Sequence, residues 1–513
     1  MSARASSSDD RAGVGSAGSD DDASSAEPTS SMGEERSPVG ARAAPAAIAT
    51  YLFGRAMGFV SLAAFVSLHV QLEGLFGSDG IVPLAPRLEH VRFVEVPSLL
   101  VLTGAGDAAL SFVAFVGELA SLALLLGVLP GAAALLAFVA YASFVGVGWP
   151  FVPLQWDTLL CEALVLTALV SPWDRVLVRP RALPDSHVLT RVAVVFLACR
   201  LHVASGLVKV LSGDPHWAAL DALDFHFETQ PLPTPLAPLA HALPSPVHAL
   251  MTLVVYALEI VLPFAAPVRT ARPWVLAGLV TLQVSIALTG SYGFFNALSA
   301  VLTLPLLDDA QLTRWAPRLA ARFALEPSRG RLGVRRVGLV GALAIGLVTL
   351  GAFDFLETVG VRFPEPIEDV RVAIGRAHLT SAYGPFGVMT TVRREISLEV
   401  STDGVRWEPV RFRHKPDDVE AALPFVPLHM PRVDWMMWFA ALGAPEDARW
   451  LSLLERGLLE DRAAVRELFA DVPLAGQVRF VRAVRHRYRF DPSGEATWVR
   501  DERERFGPTL SRR

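Results

Sequence analysis

The sequence predicts a multi-span α-helical membrane protein, about nine spans with the N-terminus inside and the C-terminus outside, followed by a soluble α+β or β-sandwich-like domain. Three observations carry this. The 513-residue chain is 52% hydrophobic and only 19% charged, where a soluble protein has about 25% charged residues, and its mean hydropathy is +0.41. Long apolar runs recur from residue 49 to residue 353. After about residue 370 the runs give way to short alternating stretches, the period of a half-buried strand.

Residues 1 to about 46 are Ser, Ala, Gly, Asp and Glu with almost no large apolar side chain. Such a segment cannot bury enough surface to offset ordering entropy, so a disordered tail is expected. It lacks the basic start and short apolar stretch of a cleavable signal. The first apolar run is therefore expected to act as its own anchor.

A span needs about 20 mainly apolar residues to cross roughly 30 Å of hydrocarbon. Candidates lie at 49–72, 108–129, 131–149, 155–171, 188–211, 246–266, 274–290, 292–307 and 335–353; the fourth, seventh and eighth are short. Orientation follows from Lys and Arg in short loops, which stay inside. The loop at 308–336 carries Arg314, Arg318, Arg322, Arg329, Arg331, Arg335 and Arg336; Arg175, Arg179 and Arg181 mark a second basic loop, Arg269 and Arg272 a third. Residues 213–245 hold Asp214, Asp221, Asp224 and Glu228 and no Lys or Arg. With nine spans the basic loops all fall inside and the acidic one outside.

Domain boundaries are expected at 47–355 for the membrane part and 356–505 for the outward part. In the latter, Ile396, Leu398 and Val400 alternate with polar residues, Asp403-Gly404 supplies a turn, and Val410 and Phe412 resume the alternation, which predicts a hairpin. Helical spacing over 435–442 and 448–469 puts Leu451, Leu454, Leu458 and Leu459 on one face. Val484, Tyr488 and Phe490 alternate with Arg485, Arg487 and Arg489 in a last strand, whose arginines would blunt an exposed edge.

The fifth span holds the most unusual helix. Ala198, His202, Ser205 and Lys209 project within about 40° of Arg191 at 100° per residue, while Arg200 points elsewhere. Ionisable groups within a span cost about 2.5–3.5 kcal/mol each at the centre and usually face a bundle interior or an aqueous cavity. Glu118, Glu162 and Glu259 are the natural partners. One reading is a polar site for a headgroup, a proton or a substrate, as in a membrane enzyme or transporter. The plainer one, which weighs more, is a salt-bridge network joining helices, with Arg191 and Lys209 snorkelling to opposite interfaces.

Two outer segments stand out. HFETQPLPTPLAPLAHALP, from His226, has five prolines, which remove backbone donors and favour polyproline-like extension. His226, Glu228 and Gln230 sit at its start, and Gln155-Trp156-Asp157 is predicted on the same side. His226 and Glu228 are two ligands where a zinc site takes three or four, so no metal is expected. A structural or recognition loop fits better. GxSxG, HExxH, GxxxxGK[ST] and strand-linked GxGxxG are all absent, which lowers the case for an enzyme, and no cofactor is implied. The net charge of -5 shows no basic excess, so nucleic acid is not an expected partner. Cys161 and Cys199 both fall in apolar runs, where a thiol behaves as a small hydrophobe.

In the outward domain Trp407, Trp435, Trp438 and Trp450 accompany Met430, Met436 and Met437. Core packing is the default for such a set; the alternative is an adhesive surface for a client. The stretch YGPFGVMTTVRR, from Tyr383, has turn punctuation and an apolar side at Phe386 and Met389. Phe386, Met389, Trp435 and Trp438 are thus the candidates for client contact.

The runs QWDTLLCEALVLTAL from Gln155, the proline-rich run from His226, LTGSYGFFNALSAV from Leu288, AYGPFGVMTTVRREISLEVSTDGVRW from Ala382 and PRVDWMMWFAALG from Pro431 resemble the lipase maturation factor family. They occur in order over most of the chain. The resemblance implies a multi-span protein that helps secreted lipases reach their active state, resident in eukaryotes in the endoplasmic reticulum membrane with its C-terminal domain in the lumen. It implies chaperone-like work rather than catalysis, with membrane lipids and a secreted lipase or other exported client as partners. Only Lys209 and Lys415 among 46 basic residues are lysine, a bias of GC-rich codons. That points to a bacterial member in the inner membrane.

Overall fold

Helices form where the apolar runs predict them. The computed structural model describes residues 46–178, 180, 182–184, 186–321 and 334–512. The tail, Arg179, Arg181, Arg322, Arg329, Arg331 and the side chains of Arg335 and Arg336 lie outside the described residues. Among the described residues seven helices are long and apolar enough to cross a membrane. They are α1 (Ala47–His69), α2 (Asp107–Leu126), α3 (Pro130–Val147), α5 (Val188–Leu211), α6 (Ser245–Ala265), α7 (Arg272–Thr289) and α9, whose apolar part is Gly338–Thr358. Two shorter helices complete the set, α4 (Gln155–Val170) and α8 (Phe295–Leu306).

Both short helices run the full depth of the bundle. Asp157 at the start of α4 bonds Tyr141 near the end of α3, at 2.7 Å, while Pro172, just past the end of α4, accepts from Gly131 N at the start of α3, at 2.9 Å. At about 1.5 Å per residue the 16 residues of α4 cover about 24 Å. Beyond α8, Asp309 accepts from Ala47 N and Ile48 N at the start of α1, each at 3.0 Å; at its other end Phe295 packs on Trp156 with ring centroids 6.2 Å apart. Nine segments therefore alternate between the two ends, the parity the basic loops require.

The outward domain is α+β, built on one five-stranded antiparallel sheet among the described residues. Its strands are β1 (Arg393–Ser401), β2 (Glu408–Pro409), β3 (Phe480–Phe490), β4 (Trp498–Arg505) and β5 (Leu510–Ser511). The order is β2-β1-β3-β4, with β5 also on β3. The hairpin at Asp403-Gly404 exists, Gly404 taking φ +73°, but its second strand is only two residues long. β1 pairs mainly with the distant β3, from Arg393↔Tyr488 to Ser401↔Phe480. Ile396, Leu398, Val400, Val481 and Ala483 are buried on the face that α10 (Arg432–Leu442) and α11 (Arg449–Leu459) cover.

One expectation is corrected here. β3 is not an edge strand but the centre of the sheet. Its arginines do not blunt an edge; they meet acidic residues of β4, Arg485–Glu504 at 2.6 Å, Arg487–Glu502 at 2.9 Å and Arg489–Asp501 at 2.9 Å. Alternation in one strand cannot reveal that a later, charge-complementary strand will pair beside it.

Ala44–Arg513 form one compact unit, so the outward domain is packed onto the membrane helices rather than tethered to them.

Candidate functional site

The outward domain meets the bundle along the outer ends of α1, α3, α4 and α5, and buried polar groups make the seam. At its centre Arg432, the first residue of α10, forms a two-pronged pair with Asp157, Nη1–Oδ2 at 2.6 Å and Nη2–Oδ1 at 2.7 Å. Nη2 also donates to the Tyr141 hydroxyl at 3.2 Å and Nη1 to the Phe151 carbonyl at 3.1 Å. Burial opposes the Arg432 charge, but the Asp157 carboxylate outweighs it and holds the guanidinium pKa above its ordinary value. Gln71, just past α1, completes the grip: its Oε1 accepts from Arg432 N at 2.8 Å and its Nε2 donates to Met430 O at 2.9 Å.

The proline-rich run supplies the second contact. It does not lie extended as its prolines suggest, because Ala222–Thr229 and Ala237–His241 form short helices; the carbonyls where the first of these ends have no partner within the helix, and the domain takes them. Arg393 at the start of β1 donates to the carbonyls of Glu228 at 2.7 Å, Gln230 and Pro231 at 2.9 Å. Trp438 Nε1 donates to Thr229 O at 2.8 Å, and Glu228 Oε2 accepts from Phe490 N at 2.9 Å. Arg393 is neutralised by Glu395 at 2.6 Å, which Lys415 shares at 3.0 Å. Gln230 donates to Thr289 O at 2.8 Å and accepts from the Tyr292 hydroxyl at 3.0 Å. His226 packs edge-on against Phe386 with ring centroids 5.5 Å apart, and burial pushes its imidazole down to about 4.

The stretch at Tyr383–Arg394 is the third contact. Tyr383 donates to Glu162 at 2.8 Å, and Glu162 is the ion-pair partner of Arg200. Gly384 N donates to Gln155 Oε1 at 3.2 Å, Met389 N to Asp214 Oδ2 at 3.0 Å, and Trp217 Nε1 to Phe386 O at 2.9 Å. A Cβ on Gly384 or Gly387 would lie 2.6 or 2.3 Å from Val208 side-chain carbons, so only glycine lets this backbone lie on the outer end of α5.

The candidate residues sort as follows. Gln155, Asp157, Glu228 and Gln230 come together in the seam through the bonds above, and Trp156 stacks edge-on against Trp435 at 4.9 Å between centroids. Met389, Trp435 and Trp438 are buried and Phe386 half-buried, because their rings and sulfur fill the seam itself. In the stripe, Arg191 is buried; Lys209 pairs with Glu259 at 2.8 Å; His202 Nδ1 faces Ala198 O at 2.8 Å and its Nε2 faces Gln283 at 3.2 Å. Arg200, assigned elsewhere by the helical wheel, is the residue that reaches Glu162, and Glu118 pairs with His69 at 2.8 Å instead. The stripe is thus bonded to protein. Sequence reasoning missed Arg432, Arg393 and Gln71, although an arginine just after Pro431, at the start of an apolar helix, was a usable signal.

Among the described residues no group of three or more His, Cys, Asp or Glu is placed to hold a metal ion.

Comparison with known proteins agrees with this layout. The lipase maturation factor transmembrane domain matches residues 48–314, and the lipase maturation factor C-terminal domain matches residues 379–508. Lipase maturation factor 2 of Homo sapiens is 31% identical over 90% of this chain and 82% of its own length. That of Gallus gallus is 30% identical over 90% and 81%. Lipase maturation factor 1 of Bos taurus is 29% identical over 89% and 88%. No solved structure matches. On these matches, and on a bundle and outward domain joined as one unit, the chain belongs to the lipase maturation factor family and is an integral membrane protein.

Proposed function

We propose that this protein is a membrane-embedded maturation factor whose outward domain binds an exported client, a secreted lipase being the client its relatives' names suggest. The carrying observation is the seam. A domain clamped by the buried Arg432–Asp157 pair is a rigid platform, and rigidity lowers the entropic cost of holding a partner. Phe386, Met389, Trp435 and Trp438 serve that platform by positioning exposed apolar neighbours, Val388 beside the first two and Phe439 and Leu442 on α10. Exposed apolar residues on a water-facing domain are what a binding surface uses. The codon bias supports a bacterial inner membrane as the location.

Crosslinking in intact membranes with the tag on the outward domain should recover a secreted or envelope protein. A deletion strain with unchanged envelope proteome and unchanged secreted lipase activity would overturn the proposal. An enzyme or transporter centred on the fifth span has less support, since Lys209 and His202 are bonded to neighbouring protein groups.

A further inference from the structure

Between the end of α9 and Tyr383 the chain forms an eleven-residue helix, Glu365–Gly375. It lies outside both matched domains, which cover 48–314 and 379–508, and takes no part in the seam. It buries none of its residues against the described chain. Four of the eleven, Ile367, Val370, Val372 and Ile374, are β-branched and lose side-chain freedom in a helix. An isolated helix shorter than about 12–15 residues is marginal in water even with the best helix formers. Burial that holds this one must come from outside the chain.

The helix has two unlike faces. At 100° per residue Ile367, Val370 and Ile374 fall within about 60° of one another, while Glu365 and Asp369 lie on the opposite side. Val370 is 57% exposed and Ile367 40%. Val372, also exposed, stands on the acidic side and is not part of the stripe.

Its height is fixed by α9. Arg371 Nη1 reaches Asp354 at 3.1 Å and Glu357 at 2.8 Å, both near the end of α9. Just before the helix, Phe363 packs edge-on against Phe353 with ring centroids 5.1 Å apart, so the chain turns back alongside α9 instead of rising away from it. α9 lies at the rim of the bundle, with Leu339, Leu343, Ile345 and Leu356 exposed along it. The stripe is held beside the outer end of a lipid-facing helix, at the depth where bilayer meets water.

We infer that Glu365–Gly375 lies in the plane of the membrane interface on the outward domain's side, with Ile367, Val370 and Ile374 inserted among the acyl chains and Glu365 and Asp369 in water. Burial of apolar surface drives the insertion. The single basic residue of the helix, Arg371, is already taken by α9 and by Glu368 at 2.8 Å, so insertion needs no anionic headgroup. The anchored helix delivers the chain at membrane depth to Tyr383, whose hydroxyl enters the bundle to reach Glu162 at 2.8 Å.

The test uses the full chain purified and reconstituted in vesicles of phosphatidylcholine alone. Ile367→Cys, Val370→Cys and Ile374→Cys, and separately Glu365→Cys, Asp369→Cys and Val372→Cys, are labelled with a polarity-sensitive fluorophore; the unsubstituted chain gives the background from Cys161 and Cys199. A nitroxide on the lipid acyl chain should quench the stripe positions more than the acidic-side positions, by about twofold or more, and aqueous iodide should show the reverse order. Adding phosphatidylglycerol should leave both orders unchanged. Equal iodide quenching at all six positions, or an order that emerges only with phosphatidylglycerol, would overturn the inference. So would protection of the stripe from both quenchers, by showing that protein covers it. If one substitution prevents folding, the remaining positions of its set still decide. None of these readouts depends on client capture, so this inference and the proposed function fail separately.

Discussion

Arg432 and Asp157, 275 residues apart in the chain, face each other through two parallel hydrogen bonds of 2.6 and 2.7 Å in a site closed to water. Breaking a buried pair by removing one partner strands the other charge and costs about 3–5 kcal/mol, whereas replacing both by apolar residues is often neutral. Arg432→Gln and Asp157→Asn should each lower the unfolding midpoint of the detergent-solubilised chain and expose 380–430 to protease. The double variant Arg432→Met/Asp157→Leu should recover most of the loss. Additive single losses in the double variant would show that the two residues act apart.

Gly387 and Val208 form a steric couple. A Cβ at position 387 would lie 2.3 Å from Val208 Cγ1, and overpacking of this kind costs about 1–3 kcal/mol. Gly387→Ala should destabilise the parent chain and do so much less in a Val208→Ala background, where that carbon is gone. Thermal melts of the four variants measure the coupling directly.

Glu455 on α11 is buried with Oε1 unpartnered, and burial pushes its carboxyl up to about 8. Its folded value thus exceeds the unfolded one. The protonated carboxyl is tolerated in full below the unfolded pKa of about 4.3, and stability is lost as pH rises from there to about 8, at up to about 1.4 kcal/mol per pH unit. Glu455→Gln should be close to the parent in stability at pH 4.5 and increasingly more stable toward pH 8. A parent-to-variant gap that stays constant over this range would show that Glu455 does not titrate as described.

The outward assignment predicts labelling from outside. Val405 is 80% exposed at the tip of the β1–β2 hairpin, far from Cys161 and Cys199 in α4 and α5. Val405→Cys should react with a membrane-impermeant maleimide in intact cells. Reaction only after the membrane is breached would place the domain inside.

Much of this architecture was legible in the sequence because membrane insertion imposes local rules. Length and apolarity mark the crossing helices, and arginine placement and the acidic, lysine- and arginine-free 213–245 segment predict their direction. Even the short α4 and α8 were legible, as the apolar runs 155–171 and 292–307. The change of period marked the outward domain as α+β or β-sandwich-like, and the single sheet covered by helices decides for α+β. The position of β3 was not, because strand order is a contest among distant segments settled by pairing.

What the seam is made of could be decided by tertiary structure alone. Periodicity put Arg200 off the stripe, yet Arg200 holds Glu162 and Lys209 holds Glu259; a helical wheel gives direction but not which neighbour is packed there. The prolines after His226 suggested a presented surface, and the surface turned out to be its carbonyls, taken by Arg393 and Trp438. The sequence by itself determined the membrane-crossing helices, the family and the two-part plan, because each follows from composition or from runs of neighbouring residues. Only the fold decided that Arg432 meets Asp157 and that Trp435 and Trp438 face inward, because burial and ion pairing depend on residues hundreds of positions away.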